Sequence, residues 1–99
     1  NDNFNNEIAL FVTTKKNKSI KEKNIKNEIT KYEISITSNI VAKIAKSNTY
    51  EFSVSGNGDY SVSEQNSTTI NNEKKLIKIL SQNIADKIIT ELDFTINDL

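Results

Sequence analysis

Seven lysines fall between Lys15 and Lys31, at positions 15, 16, 18, 21, 23, 26 and 31, and only Glu22 and Glu28 oppose them. Ammonium groups gathered in this way are what holds phosphates of a lipid or a nucleic acid. Each adds a modest, salt-screened attraction, so several must act together. The same run also reads as a solvated, charged loop, and the sequence leaves both readings open. Asn, Ile and Lys supply 43 of the 99 residues, all with AT-rich codons, so part of the lysine excess reflects nucleotide bias. Three other groupings invite chemistry. Gly56-Asn57-Gly58-Asp59 suggests a phosphate or calcium loop, but it lacks both the third glycine and helix of a dinucleotide fingerprint and the spaced acids of an EF-hand. Glu33 with Asp59, or Glu64 with Glu73, suggests an acid/base pair, but no cleft is indicated. Tyr32, Tyr50, Phe52 and Tyr60 are numerous enough for a stacking platform, but they share parity with Ile and Val and read as core.

Composition removes most catalytic means. There is no Cys and no His, hence no thiolate, no disulfide, no Ser-His-Asp relay and no ordinary zinc or copper site. No metal or other cofactor is implied, and no enzyme is expected. Thirteen lysines balance thirteen acids with no arginine, whereas a dedicated nucleic-acid binder carries a basic excess, so no nucleic acid is expected as partner. No run of about 18 apolar residues exists to span a bilayer, and no charged-then-apolar leader opens the chain. Ile, Leu, Val and Phe make up 28 residues at zero net charge, enough for a small core rather than a disordered chain.

The elements that must position these groups follow from periodicity. Residues 1–6 are polar and read as a frayed end. Residues 8–12, Ile-Ala-Leu-Phe-Val, form a short apolar run that predicts a strand buried on both faces. Residues 15–31 are too poor in apolar side chains for a core face and read as strand extension followed by a long loop. Next, Tyr32, Ile34, Ile36, Ile40, Ala42 and Ile44 fall on even positions with polar residues on the odd ones, a rule that only Ser38 and Val41 break. Tyr50, Phe52, Val54, Gly56, Gly58, Tyr60 and Val62 repeat the pattern, which predicts two strands with one buried face each. A connection over residues 45–49 makes them a hairpin. Pairing Ile44 with Tyr50 gives a register whose residue numbers sum to 94, with Ser38 opposite Gly56 and Lys43 opposite Glu51. The alternative places Asn57-Gly58 at a tight turn; parity unbroken through Val62 favours a single strand with a glycine bend or bulge.

From Ile70 the period becomes 3.6. Ile70, Ile77, Leu80, Ile84, Ile88 and Leu92 form a stripe, with Leu76 and Ala85 at its margins, predicting one amphipathic helix of about 22 residues. Ser67 to Thr69 offer capping hydroxyls, Glu73 falls in the first turns, and residues 93–99 add a short cover. The expected fold is α+β: an antiparallel or mixed sheet of three to four strands with one C-terminal amphipathic helix packed on one face. Tyr32, Ile34, Ile36, Ile40, Phe52, Val54 and Tyr60 are expected to meet Ile77, Leu80, Ile84 and Ile88. One helix covers about 10 Å of width and strands lie about 4.8 Å apart, so part of the apolar face should lie bare.

Three segments carry a family resemblance: Thr30-Lys31-Tyr32-Glu33-Ile34-Ser35-Ile36, Asp59-Tyr60-Ser61-Val62 followed by a polar loop and Asn72-Glu73-Lys74-Lys75-Leu76, and the helix from Leu80-Ser81-Gln82 to Thr90-Glu91-Leu92. Over residues 7 to 92 the chain resembles the LptE family, lipopolysaccharide-assembly lipoproteins of Gram-negative outer membranes, in its alphaproteobacterial form. Two departures stand out. The family begins with a lipidated Cys, a strand and a first helix, which this chain does not contain, so residues 1–99 are expected to be a single domain of this kind truncated at its N-terminus. Lys31 stands where the family commonly has Arg, which keeps the charge without bidentate phosphate recognition. The resemblance implies a non-catalytic partner of the LptD outer-membrane barrel, at the periplasmic face of that membrane, plugging and supporting the barrel and contacting lipopolysaccharide. Attachment would be peripheral, through a lipid anchor not present in this chain. Lys15, Lys16, Lys18, Lys21 and Lys31 are the candidate lipopolysaccharide contacts. The rivals are a generic periplasmic envelope adaptor and a ligand-binding module of the same strand-hairpin-helix build.

Overall fold

In the computed structural model, which describes residues 8–44 and 48–97, the alternating segments become three long strands and the 3.6-period segment a single helix. They are β1 (Ile8–Lys23), β2 (Ile29–Ile44), β3 (Asn48–Ser61) and α1 (Asn66–Asn97). The strands make one antiparallel sheet in the order β1-β2-β3, and the fold is α+β as expected. Sixteen residues at about 3.3 Å each extend β1 and β2 to roughly 50 Å, which accounts for an elongated molecule of 67 × 20 × 18 Å.

The helix lies chiefly over β3 and secondarily over β2. Beneath it, Ile34, Ile36, Ile40, Val54 and Tyr60 pack with Leu80 and Ile84, and Tyr32, Phe52, Leu76, Ile77 and Ile88 close the rim. That is the expected core. Asn57 and Gly58 sit inside β3, so the turn alternative fails, and neither a bend nor a bulge interrupts the ladder.

The register differs from expectation. Paired numbers across β2 and β3 sum to 92: Ile36 faces Gly56, Ile34 faces Gly58, Ser38 faces Val54, and Lys43 faces Thr49 instead of Glu51. Matching large with large across two strands neglects the third layer. At Gly58 a Cβ would lie 2.8 Å from Leu76 Cδ1, and at Gly56 it would meet Leu80 Cδ2 at 3.6 Å. The helix supplies the bulk that the glycines omit, so each glycine belongs opposite a large isoleucine. Lys43 instead places its ammonium 5.6 Å from the Phe11 ring centroid.

β1 departs further. The extension expected beyond Val12 runs as far as Lys23, and the strand is exposed along its whole length rather than buried on both faces. An edge strand needs main-chain partners on one side only, and lysines are compatible with an edge. The loop expected over residues 15–31 shrinks to a tight turn at residues 24–28. There Asn24 Oδ1 accepts the N–H groups of Lys26 and Glu28, each at 2.9 Å, and Asn27 takes φ 66°, a conformation asparagine tolerates.

The helix is also longer than predicted, 32 residues against about 22. Its start is organised upstream of Ser67. Ser63 Oγ accepts the Gln65 N–H at 3.1 Å, and Thr69 Oγ1 accepts the Ser63 N–H at 2.7 Å. Glu73 is therefore two turns inside. At the other end the helix runs through the expected tail to Asn97, where Phe94 is exposed and covers nothing. The expectations for residues 1–6, for residues 45–47 of the connection, and for the Ile96 side chain and Leu99 lie outside the described residues.

Candidate functional site

Because β1 is a strand through Lys23, side-chain alternation divides the lysine cluster between two faces. Lys16 and Lys18 oppose Ile36 and Ile34 and share their helix-side face, whereas Lys15 opposes Thr37 on the far face. Lys21 belongs with that far face, its ammonium 3.9 Å from Glu33 Oε2. Lys31 opposes Ser61 in β3 and pairs with Glu22 of β1 across a register irregularity. One phosphate cannot meet all five candidates at once. What the strand offers is two rows of positive charge, back to back.

Lys18 heads a cluster at the helix N-terminal end. Its Nζ donates to Glu73 Oε1 at 2.9 Å and lies 4.5 Å from the Tyr32 ring centroid and 5.7 Å from that of Tyr60. The two rings stack at 5.7 Å, and the Tyr60 hydroxyl donates to the same Glu73 oxygen at 2.6 Å. Each partner shifts the others. Hydrogen bonds from Tyr60 and then Lys18 hold the Glu73 carboxyl below its ordinary value. Burial, followed by the bond to Glu73, raises the Tyr60 hydroxyl. Bonds to Tyr60 and Glu73 raise Lys18. A cleft of about 360 Å³ opens beside the cluster, bounded by Lys18, Tyr32, Tyr60, Glu64, Thr69 and Glu73. Three mutually satisfied groups leave no free base or nucleophile among them. The arrangement suits cohesion better than catalysis.

Glu73 went unrecognised as a partner of Lys18, although the sequence holds a signal: it sits three and four residues before Leu76 and Ile77, in line with the apolar stripe. A carboxylate on a buried stripe demands a partner. Glu33 and Asp59, the other suspected pair, oppose each other across β2 and β3, and Glu33 accepts from Asn57 Nδ2 at 3.3 Å.

The helix leaves the helix-side face of β1 uncovered, as the width argument requires. Ile8, Leu10 and Val12 are 41%, 43% and 50% exposed while Ile40 and Ala42, opposite Val12 and Leu10, are buried. Between β1 and α1 runs a groove of about 210 Å³ lined by Val12, Thr14, Ile36, Ser38, Ile84 and Ile88. At its floor the buried Ser38 hydroxyl is satisfied by Thr14 Oγ1 at 2.8 Å. No helix among the described residues is long and apolar enough to cross a membrane.

No protein-family model matches the sequence, and no curated protein matches it. Among solved structures, the chain is similar to the crystal structure of the rare lipoprotein B from Shewanella oneidensis, with a TM-score of 0.83 over 95% of this chain and 73% of that one. Identity is 16%; at that level the likeness is one of fold.

Proposed function

We propose that this chain is a non-catalytic, LptE-like component of the outer-membrane lipopolysaccharide transport and assembly machinery. In this reading residues 1–99 form one domain at the periplasmic face of the outer membrane, held there by a lipid anchor outside this sequence. It plugs and supports the LptD barrel and contacts lipopolysaccharide. The observation that carries the reading is the fold shared with a rare lipoprotein B over nearly the whole chain, joined to the LptE-like segments at Tyr32, Tyr60 and the helix. The sheet face away from α1, with Glu33, Ser35, Thr37 and Asn39 on β2 and Ser53, Ser55, Asn57 and Asp59 on β3, is polar, which suits a wet barrel lumen.

Lys15, Lys16, Lys18, Lys21 and Lys31 are the proposed lipid contacts, and their ion pairing ranks them. Lys18 is held by Glu73 and Lys21 lies near Glu33, so Lys15, Lys16 and Lys31 have more charge to offer a phosphate. Co-purification of an LptD barrel with the protein tests the assignment, and its failure removes it. Replacing Lys15, Lys16, Lys18 and Lys21 by Gln is expected to weaken lipopolysaccharide binding at low salt while barrel binding persists. Lys18→Gln alone separates the cohesive part of that effect, and unchanged lipid affinity in the quadruple variant removes those four lysines from the role.

A further inference from the structure

Asn57-Gly58 lies inside β3, and the pair carries a chemistry that a ladder position does not call for. A main-chain nitrogen that follows asparagine can attack the side-chain carboxamide. Here the Gly58 nitrogen bonds to Asn57 Cγ, the Cγ–Nδ2 bond breaks, and ammonia leaves a cyclic succinimide behind. Water then opens the ring at either carbonyl, giving aspartate or isoaspartate. Glycine hinders the attack least because it has no Cβ, and asparagine is a thermolabile residue. The helix imposes that glycine: a Cβ at position 58 would lie 2.8 Å from Leu76 Cδ1. The close approach of α1 thus sets a reactive pair into the sheet.

The fold also holds the pair in check. Val62 N–H donates to Thr30 O at 2.9 Å, and Gly58 pairs with Ile34 in the same register and parity. The alternation of an antiparallel ladder therefore turns the Gly58 N–H toward β2, where it is bonded and not free to attack. The extended backbone at Asn57 keeps that nitrogen away from the side chain, whereas ring closure needs rotation about the intervening bond. Asn57 Nδ2 donates to Glu33 Oε2 at 3.3 Å, which draws the carboxamide across the sheet. The side chain is nevertheless exposed to water.

We propose that Asn57 is a spontaneous deamidation site guarded by the β2–β3 ladder, and that its modification makes an opening of the sheet irreversible. Local opening frees the Gly58 nitrogen and the Asn57 backbone together. Either product then opposes reclosure. Aspartate at position 57 exchanges a donor to Glu33 for a further carboxylate beside Glu33 and Asp59, which already oppose each other across the strands. The ammonium nearest this group is that of Lys21, 3.9 Å from Glu33 Oε2, and Lys15 opposes Thr37 on the same face, with β2 between it and Asn57. Lys21 can answer one carboxylate, and the others repel. Isoaspartate lengthens the main chain by one carbon, so Gly56 and Gly58 cannot both keep their places opposite Ile36 and Ile34. A chain marked in either way leaves the folded pool, because modification has outrun refolding. The inference holds whether or not the lipopolysaccharide reading does.

The test incubates the whole chain at mildly alkaline pH, folded and in urea, and follows each asparagine by mass spectrometry of proteolytic fragments. In urea Asn57 is expected to deamidate ahead of every other asparagine, since no other precedes glycine. In the folded protein its rate should fall at least about tenfold, the ratio that corresponds to roughly 1.4 kcal/mol. Ile84→Ala loosens the helix without touching the pair and should raise the folded rate, as should urea short of the unfolding transition. Asn57→Asp should lower the melting temperature, and adding Glu33→Gln should recover part of the loss. Equal rates for the folded and unfolded chain overturn the proposal, because the ladder would then guard nothing. So does a folded rate that ignores both Ile84→Ala and urea, or an Asn57→Asp chain as stable as the wild type.

Discussion

Tyr60 and Glu73 share a 2.6 Å hydrogen bond, and the carboxylate oxygen that accepts it also accepts Lys18 at 2.9 Å. One oxygen thus ties a buried ring of β3, the helix and the exposed edge strand together. The two bonds differ in worth. Tyr60 is buried and Lys18 is not, so Glu73→Ala is expected to cost about 1 to 3 kcal/mol by leaving the hydroxyl unsatisfied. Lys18→Gln should cost about 0.2 to 1 kcal/mol. Urea unfolding of the two variants checks the order; equal losses would place the cluster's weight on the lysine.

The same cluster sets a pH window. Glu73 is lowered on folding, so its contribution is complete above the ordinary 4.5 and is lost as pH falls through its lowered folded value. Tyr60 and Lys18 are raised, so theirs is complete below the ordinary 10.0 and 10.5 and is lost as pH rises through the raised values. The difference in melting temperature between the wild type and Glu73→Ala should be flat from about pH 5 to 9 and shrink on either side. A difference that grows in acid would contradict the direction of the Glu73 shift.

Ile84 is 5% exposed at the centre of the helix-sheet contact. Truncation to Ala should cost about 2 to 5 kcal/mol, the range for a packed core. A loss under about 0.5 kcal/mol in chemical denaturation, the size of a surface change, would count against this seat for the helix.

Gly56 and Gly58 should respond differently to the same substitution. Neither has a positive φ, so space decides. Gly58→Ala drives a methyl to 2.8 Å from Leu76 Cδ1 and should cost about 1 to 3 kcal/mol, moderated by the freedom of that leucine end. Gly56→Ala meets Leu80 and Ile84 at ordinary contact distances of 3.6 and 3.9 Å and should be neutral or slightly stabilising. Calorimetry of the pair tests the close approach of helix to sheet.

Thr14→Val removes the partner of a serine only 2% exposed. The orphaned hydroxyl should cost about 1 to 3 kcal/mol, and adding Ser38→Ala should recover much of it. A purely additive double variant would mean the two hydroxyls do not interact.

Legibility in the sequence followed burial. Ile34, Ile36, Ile40, Val54, Leu80 and Ile84 announce themselves because water is absent from one side only, and that asymmetry writes the periods 2 and 3.6 into the chain. The far half of β1 has water on both faces, so Lys15 to Lys23 carry no such imprint, and the point at which strand extension gives way to loop is not written in them. The register was missed by two residues because Gly56 and Gly58 answer to Leu80 and Leu76 from the helix, a layer that strand-to-strand matching ignores. The division of the lysines between faces followed from the same misread strand. Lys18, Tyr60 and Glu73 meet only in the folded chain.

Each strand pairs with its neighbour in sequence, and the element that covers them comes last. Contacts this local favour rapid folding, because little loop-closure entropy must be overcome before a ladder begins to form. During synthesis, however, the three strands emerge before α1, and until the ribosome releases the last third of the chain the face bearing Ile34, Ile36, Ile40 and Val54 has no cover. The nascent meander is then a sticky intermediate, so the interval before the helix arrives is when this protein most needs a chaperone.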